Sequence, residues 1–296
     1  MRRKSSPSAK PELFRNDNMS IYVGRIACQD LAGLVHQITG VLFRAAVNVT
    51  ENHEFVDHVA GRFFMRTQFE GQADVQKLRT ELLKLLPAGA QCDIRELKPR
   101  DLLVFASREP HCLGDLLLRH STREMSANIL AVVSPNEDCR HLVERFEIPF
   151  HLVPVNALQR PDHERKVLEI VGKYKADYLV LARYMRILTS DFISRFPERI
   201  INIHHSFLPA FIGRDPYQQA YGRGVKIIGA TSHFVTEQLD EGPIITQDTI
   251  AVDHTVSAEQ MAKRGQDVEK LVLARGLELV LEDRIMIDGN RTVIFS

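Results

Sequence analysis

The chain has 296 residues, about twice a typical domain, so two domains are expected. Hydrophobic residues make up 44% and charged residues 26%, the mixture of a globular protein with real cores to bury. Lys plus Arg and Asp plus Glu both number 38, which excludes attraction of nucleic acid or an anionic membrane by net charge. No apolar run approaches the roughly 18 residues of a membrane span.

The opening nineteen residues, "MRRKSSPSAKPELFRNDNM", are basic and polar and lack the apolar stretch of a secretory signal, so a disordered tail is expected over 1–19. Residues 20–97 read as a small α/β unit. "SIYVGRIAC" is strand-like, and "LVHQITGVLFRAAV" carries helical apolar spacing at Leu34, Ile38, Val41 and Leu42. "NVTENHEFV" and "GRFFMRTQF" predict two more strands, the second alternating Phe63, Met65, Thr67 and Phe69 on one face. An amphipathic helix, "DVQKLRTELLKLL", and a closing strand, "QCDIREL", complete a β-α-β-β-α-β order, the ferredoxin-like split unit.

Residues 98–296 follow a different pattern. "DLLVFAS", "ILAVVS", "FHLVPV", "YLVLA" and "RIINI" are short, nearly continuous apolar runs separated by helical segments. Strands buried on both faces look like this, so a doubly wound, mostly parallel sheet is expected, with chemistry beyond the carboxyl ends of "YLVLA" and "RIINI". Ser257 and Gln260 form an S-x-x-Q capping box before a long helix, and "RIMIDGNRTVIF" predicts a hairpin turning at Asp288–Gly289. Cys28, Cys92, Cys112 and Cys139 show no C-x-x-C spacing, which fits a reduced, cytoplasmic protein.

The stretch "NIHHSFLPAF" holds the first chemical signal. Strand alternation puts Asn202 and His204 on one face and turns His205 away. Adjacent histidines in an extended segment make a poor metal pair, and no cysteine or carboxylate stands nearby at ligand spacing, so no metal is expected here. An amide N–H and an imidazole on one face can stabilise an oxyanion that develops on a carbonyl. Asp240, in a loop closed by Gly242 and Pro243, is the candidate carboxylate partner, although a solvated turn acid would look the same. His233 on "TSHFV" reads as a satisfied structural histidine.

"NIHHSFLPAFIG", "GATSHFVTEQLDEGPIITQD" and "LARYMRIL" together resemble the formyltransferase family that handles 10-formyltetrahydrofolate. Its hallmark is an Asn-x-His motif followed, 36 residues after the His, by Asp in a D-x-G-x-I-I loop; Asp240 stands 36 residues after His204. The resemblance covers residues 101 to about 295 and implies catalytic roles for Asn202 and His204 on the formyl oxygen and for Asp240 on the nucleophile. It also implies folate contacts at Arg186, Ile187 and Leu188, partly through the main chain, and at His205, Gly213 and Gly242. "MRIL" reads equally as the start of a helix packed on the sheet. No cofactor is implied beyond the folate substrate itself.

Within that family the chain is similar to the deformylase branch. "ASREPHCLGDLL" has Glu109 and Pro110 where a phosphate-gripping turn needs small residues, no additional basic C-terminal domain is expected after the last hairpin, and His205 doubles the histidine as in deformylases. Residues 20–97 resemble an ACT domain, through "GRFFMR" above all. That resemblance implies a homodimer or homotetramer and a possible amino-acid effector near Gly33. Two segments depart from the pattern. "GRDPYQQA" carries Asp215 and Gln218 in place of a basic residue and a His, and "DLAG" replaces the usual D-R-P-G turn. The expectation is hydrolysis of 10-formyltetrahydrofolate to formate and tetrahydrofolate, serving one-carbon and purine metabolism. The alternatives are formyl transfer to a small acceptor or a catalytically silent regulator.

Overall fold

The computed structural model describes residues 19–155, 160–210 and 215–295. The expected tail therefore lies outside the described residues except for Met19, and so does Gly213. The chain divides into two compact units between Leu97 and Lys98.

The first unit holds β1 (Ser20–Gln29), α1 (Leu34–Arg44), β2 (Asn48–Asp57), β3 (Arg62–Gly71), α2 (Val75–Leu85) and β4 (Gln91–Glu96). The antiparallel sheet runs β2-β3-β1-β4. Leu34, Ile38, Val41 and Leu42 of α1 and Leu78 and Leu82 of α2 pack on Tyr22, Ile26, Phe63, Met65 and Phe69. The alternation expected in β3 is only half the picture, because Phe64 and Arg66 on the opposite face are buried too. Residues of β2 contribute to this: the Phe55 ring, directly opposite, stacks 6.1 Å from Phe64, and Arg66 pairs diagonally with Glu51 at 3.0 Å. Gly33 caps α1 in the left-handed region at φ 87, where a side chain would be strained.

The second unit is a seven-stranded sheet ordered β11-β10-β9-β8-β5-β6-β7. Its parallel strands are β5 (Arg100–Ala106), β6 (Ala127–Ser134), β7 (Phe150–Leu152), β8 (Tyr178–Ala182) and β9 (Ile200–His204). β10 (Ile227–Phe234) and β11 (Ile244–Ala251) add antiparallel to that edge. Successive residues of β5 enter opposite cores. Leu102, Val104 and Ala106 face α3 (His111–Ser121) and α8 (Ala258–Leu281), whereas Leu103 and Phe105 face α5 (Arg160–Val171) and α6 (Ser190–Ser194). Burial on both faces is why these strands read as unbroken apolar runs.

The remaining helices are short: α4 (Arg140–Glu144) and α7 (Pro216–Arg223). Ser257 and Gln260 form both bonds of the capping box at the start of α8. The final hairpin joins β12 (Ile285–Asp288) to β13 (Arg291–Ile294), so its two turn residues are Gly289 and Asn290, one position later than expected. Gly289, at φ 62, supplies the left-handed residue that a two-residue turn requires. Among the described residues no helix is long and apolar enough to cross a membrane.

Candidate active site

The chain runs from β6 and β7 back across β5 to β8, so strand order reverses beside β5, where α/β sheets open a crevice at their carboxyl ends. From the end of β8 the chain forms a loop over 183–189 instead of a helix. α6 starts only at Ser190, because Thr189 is its N-cap, its side chain accepting from the Phe192 amide. "MRIL" is therefore not a helix start. The loop is tied at both ends. Met185 N–H donates to Ser107 Oγ at 3.1 Å, and Thr189 N–H donates to the Glu164 carboxylate at 2.8 Å, which also accepts from the Thr189 hydroxyl. Between these ties the amides of Ile187 and Leu188 have no hydrogen-bond partner among the described residues.

Asn202 and His204 leave the same face of β9, as alternation requires. The His233 Nδ1 pairs with the Phe234 carbonyl at 2.9 Å, which assigns the ring proton to Nδ1 and makes Nε2 an acceptor. Asn202 Nδ2 then donates to His233 Nε2 at 3.1 Å, fixing the orientation of the amide. His233 is thus satisfied, as expected, and is also the support of Asn202. Burial, reinforced by the field of His204, outweighs the Phe234 carbonyl and Asp240 and leaves its pKa lowered, so the ring stays neutral near pH 7.

His204 Nδ1 stands 3.3 Å from Asp240 Oδ1, and its Nε2 is buried without a partner among the described residues. Asp240 has a left-handed backbone at φ 58, a conformation that Asp tolerates better than most residues but at a cost. What holds it is the next turn. A Cβ on Gly242 would lie 1.8 Å from the Phe234 carbonyl oxygen, so only glycine lets the loop cross the end of β10. Burial by itself would raise the Asp240 pKa; contact with His204 and the fields of His204, His233 and His205 outweigh it and leave the carboxyl below its usual range.

His205 does not turn away as alternation suggested. β9 ends at His204, so the period-two rule stops there. The His205 ring lies 5.2 Å from the His204 ring and 6.1 Å from Tyr217. Burial, then Arg183 and His204, push its pKa down to about 3, which makes it a neutral imidazole. A cavity of about 330 Å³ collects these groups. Asn202, His204, His205, His233 and Asp240 line one part of it, and Arg186, Ile187 and Leu188 line another. Its size and its mixture of apolar wall with a few converging polar groups suit a small organic ligand. Gly242 shapes the Asp240 loop and is not part of the lining.

Residues 100–277 match the formyl transferase family. A formyltetrahydrofolate deformylase of Escherichia coli K12 is 50% identical over 273 residues, covering 91% of this chain and 96% of that protein. The crystal structure of a formyltetrahydrofolate deformylase from Pseudomonas syringae superposes with a TM-score of 0.90 at 40% identity, over 95% of this chain and 96% of the other. The chain belongs to the formyl transferase family. A glycinamide ribonucleotide transformylase from Symbiobacterium toebii, by contrast, covers 67% of this chain, at 29% identity and a TM-score of 0.64. The matches to the deformylases thus extend over both units of this chain.

A second cluster lies beside the first, and sequence reasoning missed it. Glu269, on α8 and only 1% exposed, receives Tyr217 Oη at 2.7 Å on one oxygen. Its other oxygen meets His111 Nε2 at 2.7 Å and Arg183 Nε at 3.5 Å. Arg183 also donates to Glu109 at 2.7 Å and holds a left-handed backbone at φ 60, a strained state for a bulky residue. Tyr217 can approach because position 265 of α8 is glycine; a Cβ there would meet the tyrosine hydroxyl at 1.9 Å. Burial opposes ionisation of Glu269, but His111, Arg183 and Tyr217 outweigh it and hold its pKa low. His111, Cys112 and Glu269 place donor atoms within 4.8 Å of one another. Burial keeps the Cys112 thiol protonated and Arg183 already neutralises Glu269, so the chemistry there is that of an ion-pair network.

Proposed function

We propose that the protein hydrolyses 10-formyltetrahydrofolate to formate and tetrahydrofolate, using Asn202, His204 and Asp240. The observation that carries this reading is the fixed carboxylate at Asp240 facing an imidazole whose Nε2 is buried and unpartnered beside an oriented amide. The near full-length likeness to proteins named formyltetrahydrofolate deformylase supports the same reaction.

In the proposed reaction the pterin end of the substrate rests on the 183–189 loop, where the free amides of Ile187 and Leu188 offer donors and Leu188 an apolar wall. Asn202 Nδ2 and His204 Nε2 contact the formyl oxygen and stabilise the charge that develops on it. Asp240, kept ionised, takes a proton from water as the water oxygen bonds to the formyl carbon. The bond from that carbon to N10 then breaks, one proton goes to N10, and formic acid leaves and ionises to formate. These steps use side chains alone. The intact set of three also favours turnover over a silent regulator. Four unpaired, buried thiols suit a reducing cytoplasm, where the product would feed one-carbon metabolism.

In the first unit, the left-handed turn at Gly33 is the proposed seat of an amino-acid effector, with pairing of two or four copies through these units. Incubation of the pure protein with 10-formyltetrahydrofolate alone tests the main reading. Formate and tetrahydrofolate should appear in equal amounts; formyl loss that requires an added amine would point to transfer instead.

A further inference from the structure

A second cavity, of about 500 Å³, adjoins the first and is lined by Glu109, Asp215, Tyr217, Gln266 and Glu269 among others. Among the described residues only Arg183 and His205 line both cavities. The folate-side cavity is walled by the loop proposed to hold the pterin, so a nucleophile must reach the formyl carbon from elsewhere. The second cavity is the space that reaches the same histidine from the other side. Among the described residues of its lining, carboxylates outnumber the one guanidinium, which repels anionic acceptors and leaves water unaffected. A single water needs roughly 10–15 Å³, so the space holds many.

Of the two residues at the junction, Arg183 is bound to Glu109 and Glu269 and carries donors only. The His205 ring makes no hydrogen bond among the described residues, and a neutral imidazole has one lone pair to offer. Tyr217, its other neighbour, already donates to Glu269.

We propose that His205 is the water-positioning residue: it accepts one O–H of a water drawn from the charged cavity while Asp240 accepts the other. The oxygen lone pair is then aimed at the formyl carbon. This rests on the hydrolysis reading above. In the step itself the water oxygen bonds to carbon, its first proton passes to Asp240 and on to N10, and its second stays on the departing formic acid. His205 orients without being protonated.

The test uses the full chain with 10-formyltetrahydrofolate, with and without hydroxylamine, a small neutral nucleophile that captures the formyl group as formohydroxamate. In His205→Ala, kcat for formate should fall about 10²-fold. KM for the folate should stay within about twofold, because the residue holds water and not pterin. The ratio of formohydroxamate to formate should rise about tenfold. His205→Gln, whose amide oxygen is an acceptor, should restore much of kcat and return the ratio toward the wild-type value. If the alanine variant does not fold, His205→Leu, of similar bulk and without an acceptor, replaces it in the comparison. An unchanged ratio and kcat would overturn the proposal, as would a fall in kcat with no change in the ratio. Absence of formate from the wild type would instead overturn the hydrolysis reading itself.

Discussion

Two carboxylates, buried Glu269 and half-buried Asp240, stand on either side of His205, and they are built differently. Glu269 has a donor on each oxygen, from Tyr217, His111 and Arg183, and its negative charge is fully answered. Among the described residues Asp240 meets only His204 at 3.3 Å and, more distantly, His233 at 3.9 Å, both through one oxygen. Both are held ionised, yet only Asp240 keeps an oxygen open to something that is not protein. A charge closed on all sides contributes to the structure around it. A charge left partly open, on a strained backbone, is where chemistry is expected.

The strongest way to break that contrast is Asp240→Asn. Asparagine tolerates the left-handed backbone and matches the shape, so the folate affinity measured by titration should persist while kcat falls on the order of 10⁴-fold. Its melting temperature should hardly move. Glu269→Ala should behave the other way, leaving Arg183 and His111 without their counter-charge and lowering unfolding free energy by roughly 3–5 kcal/mol in denaturant titration. If the two variants lost stability equally, the distinction between the carboxylates would fail.

Asn202→Ala sharpens the contrast further, since the amide links the open site to His233. Its kcat should drop about 10²–10³-fold, with KM changed far less. The smallest effect is one of pH. The Glu269 pKa is lowered on folding, so its stabilisation is intact above the unfolded value of about 4.3 and is lost as pH falls through the folded value. Thermal melts between pH 6 and 3 should show this loss, and Glu269→Gln should flatten the curve over that window.

Much of this was legible in the chain. The order of strands and helices follows from local periodicity, and Asn202, His204 and Asp240 lie in segments whose spacing is itself a signal. His205 was misplaced for a physical reason: the period-two rule holds only while the strand lasts, and β9 stops one residue earlier. The ion-pair network was missed because its members come from four separate segments, each unremarkable alone. One clue was available. Glu269 lies within the apolar stripe of α8, between Val268 and Val272, where an acid survives only if something distant answers it.

The loop over 183–189 is anchored at Met185 and Thr189 and, among the described residues, leaves the amides of Ile187 and Leu188 unbonded between them. A ligand that accepts from those amides completes hydrogen bonding the protein has left unfinished, on a frame that is already assembled. In calorimetric terms, folate binding at this rim should be favoured by enthalpy, with little entropy lost to ordering the chain.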